Sequence, residues 1–201
     1  AWKHTIVGQS IVADTPFEAF LTKDGIDLLS VEGAATLPYR IPNLEVSLHS
    51  PKNPVPVQWW RSVGHSHTAF VVETLLDELA HLAGQDPVQY RLDLLPEESR
   101  YRGVLQLAAE KAGWGKIRLP AGHAHGVAVH QSFDSYVAEI AEVSLEGGKI
   151  RVHKVIAAVD CGLVVNPDGV RQQVESAIVY GLSAALHGAI TLENGRVVQS
   201  N

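Results

Sequence analysis

The residues most able to do chemistry lie in one run, Gln58-Trp59-Trp60-Arg61-Ser62-Val63-Gly64-His65-Ser66-His67. Two adjacent indoles are costly to expose, so they wall either a core or a pocket. Arg61 adds a forked cation, and Gly64 permits close backbone approach or a positive φ. The pattern reads as a tight loop feeding a helix, with Ser66 as its N-cap. Free N–H groups at such a helix start suit an anionic cofactor. The competing reading is a buried aromatic turn with the Arg stacked on Trp. Along the helix, Val71, Val72, Leu75, Leu76, Leu79, Leu82 and Ala83 follow an apolar 3.6-residue spacing. Glu73, Asp77 and His81 fall opposite, and Glu73, Asp77 and Glu78 read as a solvated acidic face.

A second set follows a strand: Asp160-Cys161-Gly162, Asn166-Pro167 and Gln173-Val174-Glu175. Taken alone, Asp and Asn there are turn residues capping local N–H groups. His65-x-His67 and His123-x-His125, with His130 nearby, offer imidazoles but match none of the usual zinc spacings, so no metal ligand is assigned. Cys161 is the single cysteine, which excludes an internal disulfide and a Cys-held cluster. Nothing beside it in sequence lowers its pKa, so it reads as inert. No Ser/His/Asp set for a hydrolase can be assembled.

These residues need positioning elements. Trp2 to Ala13 reads as one strand, Thr15-Pro16 opens a short helix through Leu21, and Val31 to Ala35 adds a helical turn. Leu44, Val46 and Leu48 alternate as a strand, and Pro51 to Pro56 is a proline-rich connector. Asp86 caps a helix with Pro87 at its first position, and Arg102 to Gly113 is another, with Val104, Leu105, Leu107, Ala108 and Ala112 as its apolar side. The period changes beyond Lys116 to Gly122, which is the expected boundary. Residues 126–130, 136–145 and 150–159 read as strands, the last two joined at Glu146-Gly147-Gly148-Lys149. A helix over Val170 to His187, with small residues for tight packing, precedes an Asn194-Gly195 hairpin.

Bulk properties set limits. The 201 residues are 46% hydrophobic and 19% charged, which fits a globular chain with a core. The net charge of −6, without a Lys/Arg cluster, argues against a nucleic-acid partner. No apolar run is long enough to span a bilayer, and no charged-then-apolar leader follows Ala1. The absence of Met is expected of an excerpt from a longer polypeptide.

The central run resembles the active-site loop of the molybdenum hydroxylases, the xanthine dehydrogenase/aldehyde oxidase family. That pattern is aromatic-Arg-Gly-x-Gly-x-x-Gln with a Glu six residues on. Here Trp60, Arg61, Gly64 and Glu73 are in step, while Ser62 replaces the first Gly and His67 the Gln. Trp-Trp-Arg-Ser-Val-Gly is similar to the isoquinoline 1-oxidoreductase-like branch. Tyr39-Arg40-Ile41-Pro42-Asn43, the phrase from Gly84 to Leu95, and Asp160-x-Gly162 through Gln173-x-Glu175 resemble the same enzymes, with Ser176 and Tyr180 as departures. Gly122-His-Ala-His-Gly126 sits where relatives carry a glycine-rich backbone-approach loop.

The resemblance implies an α+β chain holding partial molybdenum-cofactor-binding domains of a large subunit. Residues 1–117 would end a first subdomain and 118–201 begin a second. It implies a parent enzyme that hydroxylates aldehydes or N-heterocyclic aromatics with water-derived oxygen. The cofactor would be molybdenum–molybdopterin, as the cytosine dinucleotide, absent from this piece alone. Trp60, Arg61, Ser62, Gly64, His67, Gly162 and Gln173 would bind it, and Val63 would face the small-molecule substrate. No catalytic residue is assigned, because the family's general-base Glu lies outside this chain. A small [2Fe-2S] ferredoxin-like subunit, a cytochrome c and a bacterial periplasmic setting are further implications. The alternative is a non-catalytic assembly or partner-docking module.

Overall fold

The computed structural model describes residues 1–55, 57 and 59–200, so Gln58 of the central run and Pro56 of the connector lie outside the described residues. The chain opens with β1 (Trp2–Val7) and continues through α1 (Glu18–Leu21), β2 (Thr22–Lys23), β3 (Ile26–Asp27) and α2 (Leu28–Val31). Then come β4 (Leu44–His49), α3 (His65–Leu82), α4 (Pro87–Leu94) and α5 (Arg100–Ala112). The last elements are β5 (His123–Ser132), β6 (Ser135–Glu146), β7 (Lys149–Asp160), α6 (Pro167–Leu186), β8 (Leu192–Glu193) and β9 (Arg196–Val197). No described helix is long and apolar enough to cross a membrane.

β1 stops at Val7, well short of the expected Ala13, because Ser10 Oγ accepts the N–H groups of Val12 and Ala13 and turns the chain. It pairs in parallel with β4. α1 starts at Glu18, later than expected. α2 lies ahead of the expected 31–35 turn, because the Asp27 carboxylate caps it through Leu29 N–H at 2.9 Å.

β5, β6 and β7 form an antiparallel meander, as their alternation foretold. Val127, Val129, Ala138, Ile140 and Ala158 alternate onto its buried face. There they join α5 (Val104, Leu105, Ala108, Ala112), α3 (Val72, Leu76) and α4 (Val88, Leu92) in one core that also holds Trp2 and Tyr39. This core draws on both sides of the irregular link Lys116–Gly122. Leu107, expected inside, is exposed on α5. His123 and His125 extend in β5, so the segment from Gly122 is a strand end rather than a loop. His123 bonds the Glu142 carboxylate across the ladder at 2.6 Å, and its ring stacks on His153.

α3 departs most from its expected pattern. Its buried residues are Thr68, Val72, Glu73, Leu76 and Ala80, whereas Leu82 is 81% exposed. Glu73, read as solvated, is 5% exposed. Its carboxylate accepts from Arg91 Nε (2.9 Å), Val129 N–H (2.9 Å) and Tyr39 OH (2.7 Å). Arg91, itself fully buried, also reaches Asp77 at 2.6 Å and the carbonyls of Glu73 and Val127. One ion-pair network thus ties α3, α4, β5 and the segment before β4 together. Burial opposes the Arg91 charge, but Glu73, Tyr39 and Asp77 more than restore it and hold the guanidinium above its usual range. Burial and the Glu73 charge push the Tyr39 hydroxyl well up.

α6 is capped as the sequence indicated, Asn166 Oδ1 accepting the N–H groups of Asp168 and Gly169. None of its residues is buried. Its small residues therefore do not serve a close helix contact among the described residues; they line a cleft.

Candidate functional site

The bend before α3 is closed by its own backbone, the Trp60 carbonyl accepting the N–H groups of both Ser62 and Val63 at 3.0 Å. The positive φ falls on Val63 (49°), not on Gly64 (φ −66°). A β-branched residue in the left-handed region carries strain, so neighbours must hold it there. Gly64 serves close approach instead: a Cβ on it would sit 1.8 Å from the Leu29 carbonyl oxygen. Ser66 is the second residue of α3 rather than its cap, which is Gly64 without a side-chain bond. Ser66 Oγ meets Ser62 Oγ at 2.7 Å across the bend.

Glu32, at the end of α2, is the anchor that sequence reasoning missed. Its carboxylate accepts Gly64 N–H at 2.8 Å and lies 3.6 Å from His65 Nε2, while its carbonyl accepts the Thr68 hydroxyl at 2.8 Å. On the other side His65 Nδ1 meets His130 Nε2 of β5 at 2.7 Å. Burial and then His65 push His130 down to about 4, so the pair is neutral at pH 7. The one sequence hint was Gly33, which is placed so that any Cβ would meet Thr68, His65 and His130.

With its C-terminal end pinned, the bend turns outward. Trp60 is 52% exposed, which settles the choice between core and pocket in favour of a pocket wall. The structure brings the two sequence sets together: Arg61 Nη2 donates to Gln173 Oε1 of α6 at 3.2 Å. The Arg61 guanidinium lies 5.8 Å from the Tyr180 ring centroid, and Trp60 packs on the same ring at 5.2 Å. Arg61 is therefore over Tyr, not Trp. Between bend and helix opens a cleft of about 1170 Å³, bordered by Trp60, Arg61, Ser62, Val63, Tyr180 and Gly181 among others. On the opposite side of the bend, Trp60, Val63, Gly64 and His67 border a smaller cleft of about 420 Å³ along β1. His67 Nε2 is bonded to the Ser30 carbonyl at 3.2 Å.

Gln173 also borders a shallow cleft of about 460 Å³ with Cys161 and Asn166. Gly162, in a turn with φ 76°, gives its N–H to Asp160 and lines none of these clefts. Asp160 is held down to about 2 by its bond to Arg100 and by that Gly162 N–H.

The donor set fits a large anionic group. Arg61 bonds a neutral amide and leaves most of its fork for an incoming anion, and Ser62, Ser66, Ser132 and Ser135 add hydroxyls around the same cleft. No cluster of three or more metal-ligating side chains occurs among the described residues. A metal in this cleft would have to arrive with its own ligands.

Comparison with known proteins now bears on the site. Residues 71–201 match the family described as the molybdopterin cofactor-binding domain. This chain is 35% identical over 164 residues to a membrane-bound aldehyde dehydrogenase [pyrroloquinoline-quinone] of Gluconacetobacter polyoxogenes, covering 71% of this chain and 21% of that protein. It is 32% identical over 167 residues to the beta subunit of isoquinoline 1-oxidoreductase from Brevundimonas diminuta (81% and 21% covered). It is 29% identical over 178 residues to a subunit of the nicotinate dehydrogenase of Pseudomonas putida (80% and 15%). The chain thus spans about a fifth of the length of the first two of these relatives and less of the third. The aldehyde oxidoreductase of Desulfovibrio gigas aligns over 76% of this chain and 18% of that one, at 23% identity and a TM-score of 0.38. The family match includes Gly162 and Gln173, while the bend itself precedes it.

Proposed function

This chain belongs to the molybdopterin cofactor-binding domain family of the molybdenum hydroxylases, and from that premise we propose that the cleft between the Trp60–Gly64 bend and α6 is its share of a molybdopterin site. The observation that carries the reading is the Arg61–Gln173 bond, which joins two motifs 112 positions apart on one cleft. When bound, the molybdenum cofactor would supply the redox chemistry that transfers water-derived oxygen to the substrate. The residues of this chain bind and orient. Arg61, steadied by Gln173 and stacked near Tyr180, would take an anionic group of the cofactor, for which we favour the cytosine dinucleotide form. The backbone and hydroxyl of Ser62 and the ring of Trp60 would set the wall beside the metal. Gly64 and His67 would act through the fixed shape of the bend, and Gly162 through the turn ahead of α6. Val63 projects between both clefts and would meet an aldehyde or N-heterocyclic substrate. No residue described is assigned as general base.

The same reading makes this chain a contributor to a larger catalytic unit, inactive by itself. A compact protein of 21.7 kDa exposes about 9,200 Å², whereas this chain exposes 13358 Å². The excess of about 4,000 Å² is the size of an obligate interface, and the uncovered α6 is part of it. We assign residues 1–117 and 118–201 to successive cofactor-binding subdomains, with an iron–sulfur ferredoxin-like subunit and a cytochrome c as electron-transfer partners. The uncovered surface also suits the second reading, a non-catalytic docking module of this family. Metal analysis combined with a dye-reduction assay on aldehydes and quinoline-type substrates tests the inactivity. Sub-stoichiometric molybdenum without turnover is expected, and stoichiometric molybdenum with turnover overturns it.

A further inference from the structure

β5 and β6 are joined by a turn of only two residues, Phe133 and Asp134, closed by the Ser132–Ser135 pair. Both central residues have positive φ, 48° and 58°. This geometry matches the twist of the flanking strands and is the one that selects Asn-Gly in ordinary hairpins. Asp tolerates the left-handed region; a phenyl-bearing residue does not do so without strain. The same chain uses the favoured solution elsewhere, at Asn194-Gly195 between β8 and β9. At Phe133 it accepts the strained one and leaves the ring 79% exposed. The ring gains no core packing in return.

What the ring does reach is the large cleft. Phe133 lines it together with Trp60, Phe70 and Tyr180, so aromatic groups from four separate segments border one space, with the Arg61 guanidinium among them. Strain tolerated at a turn whose side chain projects into a binding space is a mark of a functional position. We propose that Phe133 is an aromatic clamp of this cleft, a binding residue that presses on a planar conjugated ring whose anionic group is taken by Arg61. The inference rests on the cleft being a ligand site, as argued above, and adds a residue to it. Flat aromatic ligands gain from ring walls on their faces and edges, and the guanidinium selects those bearing negative charge.

The two roles of Phe133 have opposite signs, which makes the test sharp. The full chain, Phe133→Asn and Phe133→Tyr are compared by thermal unfolding and by calorimetric titration with naphthalene-2-carboxylate, with cyclohexanecarboxylate as the non-planar anion. Phe133→Asn is expected to raise Tm by about 2–5 °C, by placing a turn-favoured residue there. It is also expected to weaken naphthalene-2-carboxylate at least fivefold, with Phe133→Tyr within twofold of the parent. Cyclohexanecarboxylate should bind at least tenfold more weakly than the naphthoate. Equal naphthoate affinity in the parent and Phe133→Asn overturns the clamp while leaving the cleft a ligand site. No saturable naphthoate binding in the parent overturns both. A fall in both Tm and affinity on Phe133→Asn makes the ring a structural prop and overturns the proposal.

Discussion

At the scale of single residues, the site is a case of strain held by polar anchors. Val63 stays left-handed because Gly64 on its C-terminal side is bonded to the Glu32 carboxylate and seated against the Leu29 carbonyl. The His65–His130 contact closes the other flank. The groups facing that pair are Glu32 from α2 and His67 from α3, with His4 of β1 acting on His67 in turn. His130 titrates at about 4 in the fold against 6.5 in the unfolded chain, so the unfolded state binds more protons between those values. Stability is therefore full above pH 6.5 and is lost as the pH falls through that window. After discounting for partial exposure, the loss is about 2 kcal/mol by pH 4. Urea titrations from pH 7 to pH 4 check this. His130→Gln should flatten the slope attributable to this site, and an unchanged slope would place the proton elsewhere.

At the scale of elements, α3 is the piece that registers the bend against the sheet. Its helical period was legible in the sequence, as were the Asp86-Pro87 and Asn166-Pro167 helix starts and the β5–β7 meander. Those are local signals, set by capping chemistry and alternation within one segment. The face that α3 buries was not legible, because it is decided by partners distant in sequence. Glu73 lies among leucines and valines with acidic neighbours at four and five positions on, which looks like solvation. Only Arg91, Tyr39 and Val129, brought from three other segments, make it an interior residue. For the same reason Leu82 and Leu107 read as core and are exposed. The network has a large expected effect: Arg91→Met strands the Glu73 carboxylate in the interior and should cost about 3–5 kcal/mol. Chemical denaturation measures it, and a loss below about 1 kcal/mol would mean that the network is not holding α3 to β5.

At the scale of the whole molecule, the chain has one well-packed core and a second region, around α6 and the β8–β9 hairpin, that is almost all surface. That asymmetry explains why candidate site residues were readable while their arrangement was not. Arg61 and Gln173 were each recognisable from short motifs, but that they meet across a cleft depends on where α6 is placed after the meander. Tyr180, noted in the sequence only as a departure, turns out to be the ring on which both Trp60 and Arg61 lean. Glu32 and Phe133 had no motif to announce them, since the first acts through a backbone N–H and the second through an improbable turn.

The most direct test of the central claim, that the bend and α6 together form an anionic, ring-accepting cofactor wall, is a double-mutant cycle on Arg61→Met and Gln173→Leu. Its readout is the affinity for an air-stable oxidised pterin bearing a phosphate. The account predicts weak but saturable binding by the full chain, at least tenfold weaker with Arg61→Met. The Gln173→Leu loss should be smaller and should vanish when Arg61 is already replaced, because Gln173 acts by steadying Arg61. Absence of saturable binding, or the same affinity in Arg61→Met as in the parent, would contradict it.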